Sequence, residues 1–269
     1  MMCKIFLILG CMTLGWVGGQ TAESPAQGKS PSVQDIVDRS NLAAYYEGKD
    51  GRAHVNMTIT DSQGRTRERR FIILRRDDKD GGEQKFYVHF SRPSDVRDTV
   101  FMVWKHIGQN DDRWLYLPAL DLVKRIAASD KRTSFVGSNF FYEDVSGRNP
   151  EDDTHELTET TSQFYVLKNI PKNPDEVEFS YYILWIDKTH FLPMKAEYYD
   201  NNKKKYRVVE ALEVKTIQGH PTVTQARVTD LNSGGNTVSN FSEIQYDLGI
   251  EESIFTERYL RRAPRQWLK

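Results

Sequence analysis

Cysteine is nearly missing from this 269-residue chain: Cys3 and Cys11 are the only two. Both fall in a short apolar first segment, and if that segment is a removable leader the mature protein holds no thiol. Disulfides, thiolate metal ligands and a cysteine nucleophile are then excluded together. Long apolar runs are equally scarce. The one at residues 5–17, behind Lys4, is too short to span a bilayer and has the length of a secretory signal core. The expected cut lies near Ala22 or Ala26, giving a signal peptide over residues 1–22 and a flexible lead-in over residues 23–30. Ile8-Leu9-Gly10-Cys11 loosely resembles a lipobox, which sets up a rival form anchored by lipid on Cys11. Few apolar residues precede that cysteine and the run continues past it, so export of a soluble chain is the expectation.

A charge excess is missing too. Lys and Arg number 37 against 38 Asp and Glu, a net charge of -1, which leaves no electrostatic footprint for nucleic acid. Histidines stand at 54, 89, 106, 155, 190 and 220, without the close spacing that metal ligation requires, so no metal or cofactor is expected. There is no Gly-x-Ser-x-Gly elbow, no phosphate-cradling glycine loop and no dinucleotide fingerprint. Asp111-Asp112 and Glu151-Asp152-Asp153 read as solvated turn charges. Lys124, Arg125, Lys131 and Arg132, and the basic C-terminus from Arg258 to Lys269, read the same way, with docking to anionic lipid as the sharper alternative. No enzymatic activity is expected; an exported hydrolase with two unmarked carboxylates is the remaining alternative of that class.

What the chain does have is strands. Val33, Ile36, Val37 and Leu42 follow Pro31 at near-helical spacing and predict one amphipathic helix. Ala53, Val55, Met57 and Ile59 then alternate with polar residues, and Asp61-Ser62-Gln63-Gly64 turns the chain into a second strand. Further strands are expected at residues 83–91, 97–107, 112–118, 122–128, 155–168, 177–187, 192–200, 204–216, 221–231 and 236–247. About eleven strands without intervening helices predict a mainly β chain, an antiparallel meander curled into a barrel or half-barrel over residues 31–262, with a basic tail at 263–269.

Residues 112–145 break the simple pattern. In Trp114-Leu115-Tyr116-Leu117 both alternating faces are apolar, whereas a sheet with one wet face shows polar residues at every second position. Either something covers the second face or it lines a cavity. Trp-Leu-Tyr-Leu-Pro-Ala-Leu at 114–120, Val-Lys-Arg-Ile at 123–126 and Phe-Val-Gly-Ser-Asn-Phe-Phe-Tyr-Glu-Asp-Val at 135–145 resemble the LolA-like family of outer-membrane lipoprotein-sorting proteins. Trp185-Ile186-Asp187, the run at 193–200 and Phe255-Thr256 with Leu260 extend the resemblance. Asn139 replaces a usual aspartate, and Asp98 a frequent glycine, hinting at a looser bend before Val100.

The resemblance implies a half-open antiparallel β-barrel closed on one side by an N-terminal helix and short covering helices, with an apolar concavity for acyl chains. It also implies a periplasmic address and, as a partner, an RND/MMPL-type inner-membrane exporter. The expected function is a non-enzymatic monomeric carrier of lipid or acylated lipoprotein between membranes; the alternative is a lipid- or lipoprotein-sensing module that regulates a membrane partner. Candidate ligand-binding residues are Met102, Trp104, Trp114 and Tyr116 in the wall, Arg125 at the mouth beside Lys124, and Phe135, Phe140 and Phe141 in the following segment. The cavity is expected to open as its covering helix or the loop from Ser129 to Asn149 moves, with Phe140, Phe141 and Tyr142 as candidates for the gate.

Overall fold

The alternating segments build one antiparallel sheet. The computed structural model describes residues 30–269, within which Ser32–Lys269 form one unit; the leader and the Cys11 motif lie outside the described residues. Strands β1 (Asp50–Thr60), β2 (Thr66–Asp77), β3 (Gln84–Arg92), β4 (Val100–Lys105), β5 (Asp112–Leu117) and β6 (Leu122–Arg125) form a first meander. A second runs through β7 (Asp153–Thr160), β8 (Phe164–Pro171), β9 (Tyr181–Asp187), β10 (Pro193–Tyr199), β11 (Lys205–Ile217), β12 (His220–Asp230) and β13 (Gly235–Tyr246). The spatial order is β6-β5-β4-β3-β2-β1-β13-β12-β11-β10-β9-β8-β7, so the first strand pairs with the last, and β6 and β7 are unpaired edges. The barrel is therefore open, as expected, with thirteen strands instead of about eleven. The segment expected as a single strand at 155–168 is two. Thr161 divides them, its hydroxyl accepting from the amides of Gln163 (3.2 Å) and Phe164 (2.8 Å), a local turn that competes with the ladder.

This topology forces a crossover. Residues 126–152 must carry the chain from the β6 edge to the β7 edge, and they do so over the inner face of the sheet. Phe135 is their anchor, with its ring 5.5 Å from Phe101, 5.6 Å from Phe90 and 6.1 Å from Phe71. A short helix α2 (Tyr142–Ser146) follows. The other cover is α1 (Val33–Tyr45), whose capping box joins Ser32 and Asp35 reciprocally at 3.1 and 3.0 Å. Both orphan donors at the helix start are thereby satisfied. Ile36 and Val37 bury against Leu167, Ile186 and Phe191, and the Arg39 guanidinium lies 3.4 Å over Phe191.

The doubly apolar strand is now explained, because each face has its own cover. Phe101, Val103 and Leu115 point inward with Phe135 and Tyr142. Met102 and Trp114 point outward and pack with Ile250, Ile254, Phe255 and Leu260. The buried Asp50 carboxylate starts that outer cover by accepting from the amides of Leu248 (2.7 Å) and Ile250 (2.9 Å). Helix α3 (Glu257–Arg261) continues it, and Trp267 and Leu268 also pack there, so the basic C-terminus is part of the outer layer. The bend before Val100 is kept, with Asp98 in the left-handed region at φ 62°. Glycine takes that conformation freely and aspartate tolerates it, which accounts for either residue there.

Candidate ligand cavity

Between α1 and the inner face lies a cavity of about 490 Å³. Small side chains create it. Ala211 faces Ala226 across β11 and β12, Ala226 faces Ser239, and Ser239 faces Met57, a row of registered residues spanning four strands. Ala43 and Ala44 of the helix face the same space. Larger apolar residues finish the walls: Phe71, Phe86 and Val88 on one side, Leu184, Val209 and Val223 on the other, and Phe241 between. Where the alternation would otherwise fill a core, the alanines leave room.

The charged groups at the wall are spoken for by neighbours. Arg148 donates to Asp153 at 2.8 Å, and Lys195 pairs with Glu197 at 2.5 Å. Arg75 reaches Asp77 at 2.8 Å and the carbonyls of Tyr45, Glu47 and Gly48, pinning the C-terminal end of α1. Arg52 donates to Gln245 at 2.6 Å and to the Lys269 carbonyl at 2.9 Å. Glu210 accepts from Arg227 at 2.8 Å, and Glu47 meets His220. His155 lies 2.7 Å from Asn169 and 3.0 Å from the Pro150 carbonyl.

Beneath the crossover the pairing becomes a buried network. Arg132 reaches Glu143 (2.6 Å) and Glu178 (2.8 Å), while Arg207, fully buried, holds Asp144. Burial works against ionising Glu143, but Arg132, Arg148 and Lys131 outweigh it and hold the carboxyl below the usual range. Burial lowers the Lys105 ammonium to about 8, although it donates to the Ser146 carbonyl at 2.8 Å. Asn139 is tied to Thr237 in both directions, at 3.0 and 2.8 Å. Lys131, Arg132 and Asp153, expected as solvated charges, are instead buried and paired, and half-buried Asp111 pairs with buried Arg113. Lys131 and Arg132 stand in the crossover and Asp153 at its end, where the chain passes over a core and charges need partners.

Of the sequence-predicted residues, Phe135 and Phe140 border the cavity. Met102, Trp104, Trp114 and Tyr116 lie on the opposite face under the C-terminal layer, where the Trp104 indole donates to the Phe255 carbonyl at 2.8 Å. Arg125 is exposed on the β6 edge, paired with Asp112 and 5.3 Å from the Trp114 ring. Phe141 packs between Arg132 and Arg207, whose guanidinium carbons lie 5.1 and 4.2 Å from its ring. The structure thus corrects the predicted wall: the apolar surplus of β4 and β5 serves two covers, and neither strand lines the void. Sequence reasoning passed over the alanine row. Its signal was there, in small residues at the inward positions of otherwise bulky alternating strands. Among the described residues, no group of three or more His, Cys, Asp or Glu is placed to hold a metal ion, and no helix is long and apolar enough to cross a membrane.

An open antiparallel half-barrel, with an apolar void kept between its inner face and an N-terminal helix, defines a LolA-like fold. A family model described as an uncharacterized protein matches residues 82–262. A DUF1329 family protein from Desulfovibrio piger is 30% identical at a TM-score of 0.77, covering 84% of this chain and 96% of the other. A putative outer membrane lipoprotein-sorting protein domain from Vibrio parahaemolyticus is 28% identical at a TM-score of 0.76, covering 84% and 97%. A LolA superfamily protein from Nitrosomonas europaea shares the fold at a TM-score of 0.66 and 19% identity, covering 86% and 100%. No curated protein matches the sequence. The chain belongs to the DUF1329 family and has the LolA-like fold.

Proposed function

We propose that the protein carries lipid, or the acyl chains of acylated proteins, in this cavity and transfers them between membranes without covalent chemistry. The observation that carries the reading is the void itself, about 490 Å³, walled by alanine, valine and phenylalanine beneath a helix. Its size falls within the 300–1,000 Å³ typical of pockets that enclose a small ligand. Burying an acyl chain gains about 0.8 kcal/mol per methylene, so affinity needs no polar contact. The relative described as a lipoprotein-sorting domain agrees with this reading.

Capture and release would work through α1. The crossover is riveted by Arg132, Arg148, Arg207 and Lys105, whereas the helix body rests on apolar contacts and one stacked arginine. Lifting α1 breaks no buried ion pair along that body. The working site would be the periplasm, as a single chain, with an RND/MMPL-type exporter as the inner-membrane partner. Lipid extraction and native mass spectrometry of the purified mature protein provide the test. An acyl ligand that copurifies, or is taken up after delipidation, is the expected result; a protein that stays empty with every acyl probe overturns the proposal.

A further inference from the structure

The cavity's charges raise a question of selectivity, which rests on the acyl-binding reading above. A lipid headgroup entering the pocket needs a counter-charge that is free to receive it. Arg75 is committed to Asp77 and three carbonyls, Arg148 to Asp153, Lys195 to Glu197, and Arg52 to Gln245 and the Lys269 carbonyl. His155 is held between Asn169 and the Pro150 carbonyl. Every cationic side chain lining the cavity among the described residues therefore already has a protein partner. Diverting Arg75 or Arg148 to a carboxylate or phosphate would take the ion-pair partner from the buried Asp77 or Asp153, a desolvation cost that cancels the gain. The uncharged lining is mostly alkyl and aromatic carbon, with the neutral polar groups of Ser40, Asn41, Thr222 and Ser239 set among it.

We infer that the cavity takes one acyl chain by its hydrocarbon alone and leaves the headgroup outside, so the ligand class is single-chain lipids regardless of head charge. Volume supports the chain count: about 490 Å³ lies in the lower half of the range for pockets that hold one small ligand. The registered row of Met57, Ser239, Ala226 and Ala211 gives the chain a smooth track across four strands. The track carries one neutral hydroxyl, that of Ser239, and no charge, so it reads chain length and not head charge.

Delipidated mature protein is titrated with straight-chain fatty acids of increasing length, then with hexadecanoic acid, hexadecanol and palmitoyl lysophosphatidylcholine at low and high salt. Dipalmitoyl phosphatidylcholine and a tripalmitoylated lipopeptide are added in native mass spectrometry. Affinity is expected to rise about fourfold per added methylene and then level off, with the three sixteen-carbon probes within threefold of one another. Salt should leave those affinities unchanged, because exposed charge attraction is what salt screens. One chain per protein is expected. Ala226→Phe should move the plateau to shorter chains, and Ala211→Phe serves if the first variant does not fold. A tenfold, salt-sensitive preference for the acid overturns head blindness, and tight stoichiometric uptake of the two- or three-chain lipid overturns the chain count. Both of those outcomes leave the carrier reading standing; absence of binding by any acyl probe defeats both.

Discussion

Glu143 shows how single residues hold this fold. It is 3% exposed and lies 2.6 Å from Arg132 and 3.4 Å from Arg148. Removing one partner of a buried ion pair costs about 3–5 kcal/mol, so Glu143→Gln should lose that much in urea denaturation at pH 7. Its folded carboxyl titrates below the ordinary value of about 4.3, which fixes the sign. The stabilisation is complete above the unfolded value and drains away as pH falls through the folded one, so the gap between wild type and variant should close in acid. Gly147 makes a different case. It sits at φ 74°, and a Cβ there would run into the Tyr45 ring. Gly147→Ala should cost about 1–3 kcal/mol in the same assay. The two faces of the sheet give a third test. Trp114→Ala empties the outer layer and should cost about 3–5 kcal/mol of stability with acyl affinity unchanged, while Phe140→Ala at the cavity wall should weaken acyl uptake.

At the level of elements, α1, the first hairpin and the second meander from β9 onward stand close to where period and turn chemistry put them. Ser32 and Pro31 announce the helix start, and Asp61 closes its turn by accepting from Gln63 and Arg65 amides at 2.9 and 3.0 Å. Local sequence carries such signals because the partners are a few residues apart. The pairing of β1 with β13 and the path of residues 126–152 are not local, and no periodicity encodes them. Nor could the faces of Trp114 and Leu115 be told apart, since which lies under the crossover and which under the C-terminal layer depends on covers supplied by residues 135 and 255. The Ala211–Ala226 pair was readable only once its register was known. The same contrast between covers yields a prediction. Spin labels on Leu42 of α1 and on Leu212 of β11, both exposed, should change separation when acyl ligand is added, whereas a label on exposed Ser129 of the crossover should keep its distance to Leu212. A fixed α1 with a moving crossover would reverse the assignment of the cover.

For the whole molecule, the sheet is a layer between two coverings, and each is needed. Ending the chain after Asp247 removes Ile250, Ile254, Phe255 and Leu260 from Met102, Trp114 and Tyr87. The bare patch should make the shortened protein bind a hydrophobic dye and associate, a change read directly by fluorescence and light scattering. The closing pair of strands has a further effect, on the order of assembly. Gly51 pairs in register with Tyr246, nearly the whole folded chain away, so the middle of the sheet is the last part to be completed. Strands β1 to β6 can pair with their neighbours as they emerge, but β1 keeps a free edge until β13 arrives. Non-local closure of this kind is slow, and an open, apolar-faced edge in the meantime invites pairing with other chains. The protein's dependence on a holding chaperone should therefore fall on the interval between synthesis of residue 60 and residue 235.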